Sequence, residues 1–420
     1  MKITVFGNTL QAEAMTGLLA EYGHQVFWCP DPNASVVEPF AHVADENLNT
    51  LLQKQIQHNF LKRICFNQVP LDGDVFFFGF RPTEYALAEE VLQHFALSPM
   101  IHPKLMINGS TFGLQGTKKL KQIAPHDHWA YFPDVVQEGH ALKSILQVKQ
   151  NIIGVDSETT EVLFRELLRP IFPAKHQYLF MPILDAEFTK LSISGMLATR
   201  ISYMNDMAVV AEKLGIDILN VKHGLAADSR IGSTYLSPGA GFGGENFSHD
   251  ILTLSSTVSE SGVQSRLLKQ VYAINEQQKE IMFRKLWNYY HGDLQGKVIA
   301  IWGAAFKENT SSIQNAPIHV MLKALWAQGA IVQLHDPEAL GEIARLYGQR
   351  DDLILAAEQY QVALGADALC LMTAWPQYAS PDFKQLQRMM RHPYILDGRN
   401  IYDPSFVKAQ GFAYTGVGRA

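Results

Sequence analysis

The sequence predicts an α/β protein with two Rossmann-like, doubly wound parallel-sheet domains joined by a central helical region, and three observations carry that expectation. One pattern occurs twice, at Lys2–Pro32 and again at Lys297–Pro337: an apolar run ending in glycine, a helical stretch closed by glycine, and a second apolar run leading to Asp-Pro. Each copy reads as a βαβ unit. The chain's 420 residues are too many for one ordinary core and allow two or three domains, each large enough to bury an interior. Between the two copies, Leu184 to Leu214 and roughly Gln264 to Tyr290 run as long helical patterns without internal proline. The resulting division is 1–183, 184–294 and 295–420.

In the first unit, Lys2-Ile-Thr-Val-Phe reads as a buried strand, Gly7 as its turn, and the Ala- and Leu-rich stretch to Gly23 as the crossover helix before the strand that ends near Asp31. The second unit repeats this from Lys297 through Gly303 and Gly329 to Asp336. Gly7 and Gly23 are 16 residues apart, whereas Gly303 and Gly329 are 26 apart. The extra residues follow the first strand directly, where insertions in parallel sheets usually serve a ligand. The two helical stretches read as a spine and as the surface of a homodimer.

Composition narrows the function. The balance of 35 basic against 41 acidic residues, a net charge of −6, argues against sequence-independent nucleic-acid binding. Cys29, Cys65 and Cys370 are widely spaced, with no CxxC pair to suggest zinc or redox work. They fit a reducing cytoplasm. The chain opens on a strand rather than a signal segment, and no run of about eighteen apolar residues follows, so the expected location is cytoplasmic, without a membrane span or a metal. No low-complexity segment or charged tail appears.

Seven blocks then occur in a telling order: Ser110-Thr111; Tyr131-Phe-Pro133-Asp-Val-Val-Gln-Glu138-Gly139; Leu197-Ala-Thr-Arg-Ile-Ser; Asp228-Ser-Arg230-Ile-Gly232; the loop Tyr235-Leu-Ser-Pro-Gly-Ala-Gly-Phe-Gly-Gly-Glu-Asn-Phe-Ser-His-Asp250; Gly303-Ala-Ala-Phe-Lys307; and Asp397-Gly-Arg399-Asn400. Over essentially its whole length the chain resembles the nucleotide-sugar 6-dehydrogenases of the UDP-glucose/GDP-mannose dehydrogenase family. The resemblance implies an NAD-binding N-terminal domain, a helical dimerisation region, and a C-terminal domain for a nucleotide sugar, UDP-linked being the commonest family choice. It also implies oxidation of the sugar C6 alcohol to a carboxylate by two hydride transfers, in a polysaccharide pathway.

The glycine loop has its own rationale, since Gly239, Gly241, Gly243 and Gly244 let backbone approach a ligand closely and can turn successive amides toward an anion. By resemblance Tyr235, Phe242 and these glycines line the sugar site. The family's loop ends in Gly-Gly-x-Cys-Phe-x-Lys-Asp, but this chain reads Gly243-Gly244-Glu245-Asn246-Phe247-Ser248-His249-Asp250. The missing cysteine matters, because the second oxidation needs a thiolate to add to an aldehyde so that the adduct can lose a hydride. An asparagine amide cannot add. Lys190 and residue 194 share one helix face, where the family places a Lys and an Asn to hold a developing alkoxide and a water; here the second is Ser194. Asp250 matches the family's general base. Asp134 shortens one acid of the Pro-Glu motif, and Glu138 keeps the other. Arg230 matches an arginine that reaches the substrate from a neighbouring subunit, and Lys307 and Arg399 match groups facing the sugar and its diphosphate.

The cofactor side is eroded. A dinucleotide fingerprint needs glycine for the turn, for backbone approach to the pyrophosphate and for helix packing, then an acid closing the second strand. Gly7-Asn8-Thr9-Leu10-Gln11-Ala12 keeps the first glycine, places Thr9 at the second and Ala12 at the third, and the acid position is Pro30, with Asp31 beside it. By resemblance Gly7, Thr9, Leu10, Asp31, Ser110 and Thr111 are the NAD contacts of a degenerate site. The family's Asp-Asp-x-Arg is Ser311-Ser312-Ile313-Gln314, and its Ser-Thr-Val-Pro is Ser110-Thr111-Phe112-Gly113. Three readings follow. One is an NAD-linked oxidoreductase stopping at the alcohol/aldehyde step, using Lys190, Ser194 and Asp250. Another is a non-catalytic nucleotide-sugar-binding protein or partner of an active relative. The last is a uronate-forming enzyme whose nucleophile lies elsewhere.

Overall fold

The computed structural model describes residues 1–37, 45–96, 104–263 and 266–419; Gln264 and Ala420, which bound expected segments, lie outside these. The chain divides by its internal contacts into two units, Met1–Ile193 and Ser194–Ala420. Of the expected central region 184–294, the first ten residues thus belong to unit 1 and the rest to unit 2.

Unit 1 carries, in order, β1 (Lys2–Phe6), α1 (Leu10–Glu21), β2 (Gln25–Cys29), α2 (Glu46–Gln57), β3 (Leu61–Arg63), β4 (Val75–Phe78), α3 (Tyr85–Ala96), β5 (Leu105–Asn108), α4 (Gly116–Ile123), β6 (His128–Tyr131), α5 (Ala141–Leu146), β7 (Asn151–Val155), α6 (Glu158–Leu168), β8 (Tyr178–Pro182) and the start of α7 (Ile183–Leu214). Its sheet order is β3-β2-β1-β4-β5-β6-β7-β8. All neighbours are parallel except β6 and β7, so one antiparallel pair interrupts the expected parallel sheet. The first six strands have the dinucleotide-binding order.

Strand alternation explains why these strands read as unbroken apolar runs. Ile3, Val5, Val75, Phe77, Leu105 and Ile107 enter one core cluster, whereas Phe6, Phe76, Phe78 and Met106 enter another. Successive side chains point to opposite faces, and both faces are covered. Each fully buried phenylalanine contributes roughly 1.5–3 kcal/mol. Gly7 closes β1 at φ +95°, and a Cβ there would strike the Gly79 carbonyl, so this turn requires glycine.

Unit 2 continues with the rest of α7, then α8 (Ile218–Ala227), α9 (Glu245–Glu260), α10 (Arg266–Gln278), α11 (Ile281–Tyr289), β9 (Val298–Trp302), α12 (Ile318–Ala327), β10 (Ile331–His335), α13 (Leu340–Tyr347), β11 (Leu353–Leu355), β12 (Ala368–Leu371), α14 (Phe383–Met389), β13 (Tyr394–Asp397), α15 (Pro404–Ala409) and β14 (Ala413–Gly416). The sheet β11-β10-β9-β12-β13-β14 is wholly parallel and repeats the order of the first. The insertion after β9 is the loop 303–317. The expected continuous helix to Tyr290 is instead α10 and α11. Between them Glu280 N–H bonds back three residues to Gln277, tightening the turn, while Gln278 and Lys279 turn buried side chains to neighbouring loops. All three cysteines are buried and unlinked. Among the described residues no helix is long and apolar enough to cross a membrane.

At the β2–β3 edge of unit 1 the Arg63 guanidinium lies 5.2 Å above the Trp28 ring. Glu13, in the first turn of α1, is half-buried; its partial burial pushes its carboxyl up to about 7, with the Arg63 charge opposing. Unfolded, Glu13 titrates near 4.5, so between these values the folded state holds a proton that the unfolded state has released. Stability therefore falls as pH rises from 4.5 to 7 and stays lower above that. Glu13→Gln, which fixes the uncharged form, should stabilise the protein by roughly 1–3 kcal/mol at pH 8 and hardly at all at pH 4. Denaturant unfolding at the two pH values checks this; equal effects would contradict it.

Candidate functional site

In unit 2 the loop before α9 is held from beneath by amide side chains on helices. Gly239 N–H donates to Asn205 Oδ1 at 2.9 Å, and Gln278 Nε2 donates to Gly239 O at 2.7 Å. Asn275 grips Phe242 at both ends, accepting its N–H at 2.8 Å and donating to its carbonyl at 3.1 Å. Ala240 N–H goes to Gly398 O, and Gly244 N–H to Gln314 O. The amides of residues 239, 240, 242 and 244 thus donate within the protein, which corrects the expectation of a concavity of free amides. Instead the glycines permit close packing. A Cβ at Gly243 would lie 2.8 Å from Asn315 O and 3.0 Å from Phe306 Cβ, and Gly241 and Gly244 adopt φ near +98° and +91°. Phe242 anchors the loop in a small cluster with Ala198 of α7, Ile251 of α9 and Val271 of α10. Tyr235, at φ +58° and 41% exposed, stands at the loop's entrance.

The loop delivers the chain into α9 with Gly244 as its cap and no side-chain capping bond. Asn246 is the second residue of this helix and is exposed. A cysteine there would be activated as a thiolate by the helix N-terminus, whereas the asparagine amide does not ionise near neutral pH. One turn on, Asp250 is 2% exposed and accepts a 2.6 Å hydrogen bond from Ser194 Oγ, itself buried. The expected acid and the residue replacing the family's Asn are therefore in direct contact. Lys190, one turn before Ser194 on α7, is buried.

Arg399 runs under the same loop. Its Nε donates to Met372 O at 2.7 Å and Nη2 to Phe306 O at 3.0 Å, and a Cβ at Gly239 would lie 3.5 Å from Nη1. Burial lowers its pKa, countered by Glu308 and Asp397, but a guanidinium remains charged. Lys307 holds its ammonium 5.6 Å from the Phe306 ring centre. Arg230 has 87% of its side chain exposed and is paired with Asp228 of its own turn.

In unit 1 the expected cofactor residues follow the carboxyl ends of β1, β2 and β5. Thr9 is the N-cap of α1 and Leu10 its first residue. Ser110 Oγ accepts from Phe80 N–H at 2.8 Å and donates to Phe78 O at 3.1 Å, and Thr111 beside it is buried. Asp31 is exposed and accepts its own Asn33 N–H at 2.9 Å. Asp134 Oδ1 accepts Val136 N–H in the segment after β6, and Glu138 lies half-buried in that segment.

Several participants escaped the sequence reading. Glu187 on α7 is buried and caps α4 from a distance, accepting Gln115 N–H at 2.7 Å and Thr117 N–H at 2.9 Å; burial raises its pKa against those bonds. Asn205, Asn275, Gln278 and Lys279 form the cradle of the glycine loop, and Trp28 bonds the turn after β1 at Gly7 O. A usable signal existed, because Asn275 and Gln278 stand three apart on one helix face.

Known proteins place these features in context. Residues 184–277 match the central domain, and residues 300–404 the UDP-binding domain, of the UDP-glucose/GDP-mannose dehydrogenase family. A UDP-glucose 6-dehydrogenase of Pseudomonas aeruginosa is 37% identical over 290 residues, 68% of this chain and 64% of that protein. The UDP-glucose 6-dehydrogenase TuaD of Bacillus subtilis is 30% identical over 329 residues, 75% and 69% of the two chains. The match to the Pseudomonas protein thus spans just under two thirds of that protein's length. A UDP-glucose dehydrogenase structure from Pyrobaculum islandicum superposes with a TM-score of 0.87 at 23% identity, covering 100% of this chain and 98% of that one; the likeness is one of fold.

Asn275→Ala would strip both bonds to Phe242 from a site with no solvent access. The expected cost is about 2–3 kcal/mol, a fall in melting temperature of roughly 4–10 °C by calorimetry. An unchanged melt would mean the loop is held without it.

Proposed function

This chain belongs to the UDP-glucose/GDP-mannose dehydrogenase family, and we propose that it binds a UDP-type sugar nucleotide through unit 2 without converting it to the acid. The observation that carries this reading is Asn246 at the start of α9, one turn from the buried Ser194–Asp250 pair. Oxidation of an aldehyde by hydride loss needs a nucleophile to form a tetrahedral adduct first. The amide of Asn246 supplies none. The cysteines are poor substitutes: Cys370 is fully buried in β12, where burial drives its thiol far up, and burial pushes Cys29 up to about 12. Cys65 is buried too.

Support for ligand binding comes from the groups kept at the carboxyl edge of the second sheet. Arg399 follows β13 against Gly239 of the glycine loop and Lys307 follows β9, and a planar guanidinium and a point charge suit a diphosphate. The alcohol-to-aldehyde step is a second reading, favoured by the Ser194–Asp250 contact, which could draw a proton from an alcohol. That step also requires a dinucleotide held by unit 1.

Pairing of two copies through α7 belongs to the same proposal. Met196, Tyr203 and Val210 recur at seven-residue steps on α7 and are 64%, 52% and 46% exposed, an apolar stripe of the kind that helices bury against one another. Arg230 would then be available to the other copy's ligand.

Calorimetric titration with UDP-glucose should give saturable binding with a Kd between about 1 µM and 1 mM, light scattering should give a dimer, and incubation with NAD should yield no UDP-glucuronate. Absence of binding to UDP-glucose, UDP-N-acetyl sugars and UDP alike, or formation of the acid, would overturn the proposal.

A further inference from the structure

The strand order of unit 1 reverses between β1 and β4, so the crevice in which a doubly wound sheet receives its ligand opens between the carboxyl ends of those strands. Here the protein's own groups stitch that crevice together. Thr9 Oγ1 donates to Gly79 O at 2.9 Å, joining the turn after β1 to the turn after β4. The same oxygen accepts Ala12 N–H at 3.3 Å. Behind it, Gln11 Nε2 reaches the segment after β6 and donates to Phe132 O at 3.0 Å and Pro133 O at 3.1 Å, with Gln11 only 1% exposed. Trp28 Nε1, from β2, donates to Gly7 O at 2.9 Å.

A bound pyrophosphate needs the first-turn amides of the helix aimed at open space and a bare backbone at the second glycine position. In this chain the Thr9 hydroxyl occupies that position and already satisfies Ala12 N–H, as a phosphate oxygen would. Glu13 brings an acid into the same first turn, where it opposes a second negative group. At the end of β2 stands Pro30, and neighbouring Asp31 is engaged with its own turn. The residues present do not fit NAD.

We infer that Thr9 has converted the dinucleotide crevice of unit 1 into an internal closure, so that this unit does not take NAD. The inference is independent of the sugar-nucleotide reading, because it concerns residues of unit 1 and is tested with NAD alone. It also removes the hydride acceptor on which the alcohol-to-aldehyde reading depends.

The test is calorimetric titration of the full-length protein with NAD, for the wild type, Thr9→Gly and Thr9→Ser. Glycine is nearly as good an N-cap as threonine, so Thr9→Gly should fold, and circular dichroism will verify that it does. The expected result is no saturable binding to the wild type or to Thr9→Ser, which keeps the capping hydroxyl, and at least ten-fold tighter binding to Thr9→Gly. Saturable wild-type binding at sub-millimolar NAD would overturn the inference outright. Failure of folded Thr9→Gly to gain binding would overturn the role given to Thr9.

Discussion

Because the central strands of each sheet are buried on both faces, they are largely apolar, and polar chemistry gathers at the turns at their carboxyl ends. In unit 1 this constraint sends Ile3 and Val5 to one core and Phe6, Phe76 and Phe78 to another, leaving Gly7, Thr9, Gly79 and Ser110 to decide what the crevice can hold. In unit 2 it places Arg399 after β13 and Lys307 after β9, at one edge of an all-parallel sheet. Small changes at these turns can therefore redirect function without disturbing the fold. Thr9 illustrates this: it caps α1 and bridges to Gly79, so on the inferred closure a residue unfavourable to a dinucleotide is favourable to the helix.

On the proposed reading, the two ends of the chain depart from the family in different ways. Around the glycine loop the packing is fully specified, by Asn205, Asn275 and Gln278 beneath and by Phe306 and Asn315 against Gly243. On the proposed reading, Asn246 stands in place of the nucleophile in a frame that still positions Asp250 one helical turn away. Around α1 the inferred change is broader, since Thr9 and Ala12 stand at fingerprint glycine positions and Pro30 at the position of the ribose-binding acid. On the proposed reading, binding has outlived oxidation.

Much of the fold was legible because its signals are local. The repeated strand-glycine-helix-glycine-strand pattern placed β1, α1 and β2 and then β9, α12 and β10, and the long insertion after Gly303 located the loop that packs on Gly243 and Gly244. Boundaries set by side-chain contacts were not legible. The break between α10 and α11 depends on Gln278 and Lys279 binding loops remote in sequence, and the antiparallel β6–β7 pair depends on long-range register. Within the site, Asn246, Ser194 and Asp250 were found through the family resemblance of the motifs that contain them. Sequence could not reveal the use of the loop amides, because whether an N–H faces a ligand or Gly398 O is a tertiary fact. Glu187 escaped for the same reason, since its partners Gln115 and Thr117 lie about seventy residues away.

The central claim is that the carboxyl edge of the second sheet accepts a sugar nucleotide while that of the first is closed to NAD. Amide hydrogen exchange followed by mass spectrometry, with UDP-glucose and with NAD in turn, reads both edges in one measurement. The account predicts slower exchange around residues 235–250 and 397–400 with UDP-glucose, and unchanged exchange across residues 7–13 and 79–80 with millimolar NAD. Protection of the α1 first turn by NAD, or no response of the glycine loop to the sugar nucleotide, would contradict it.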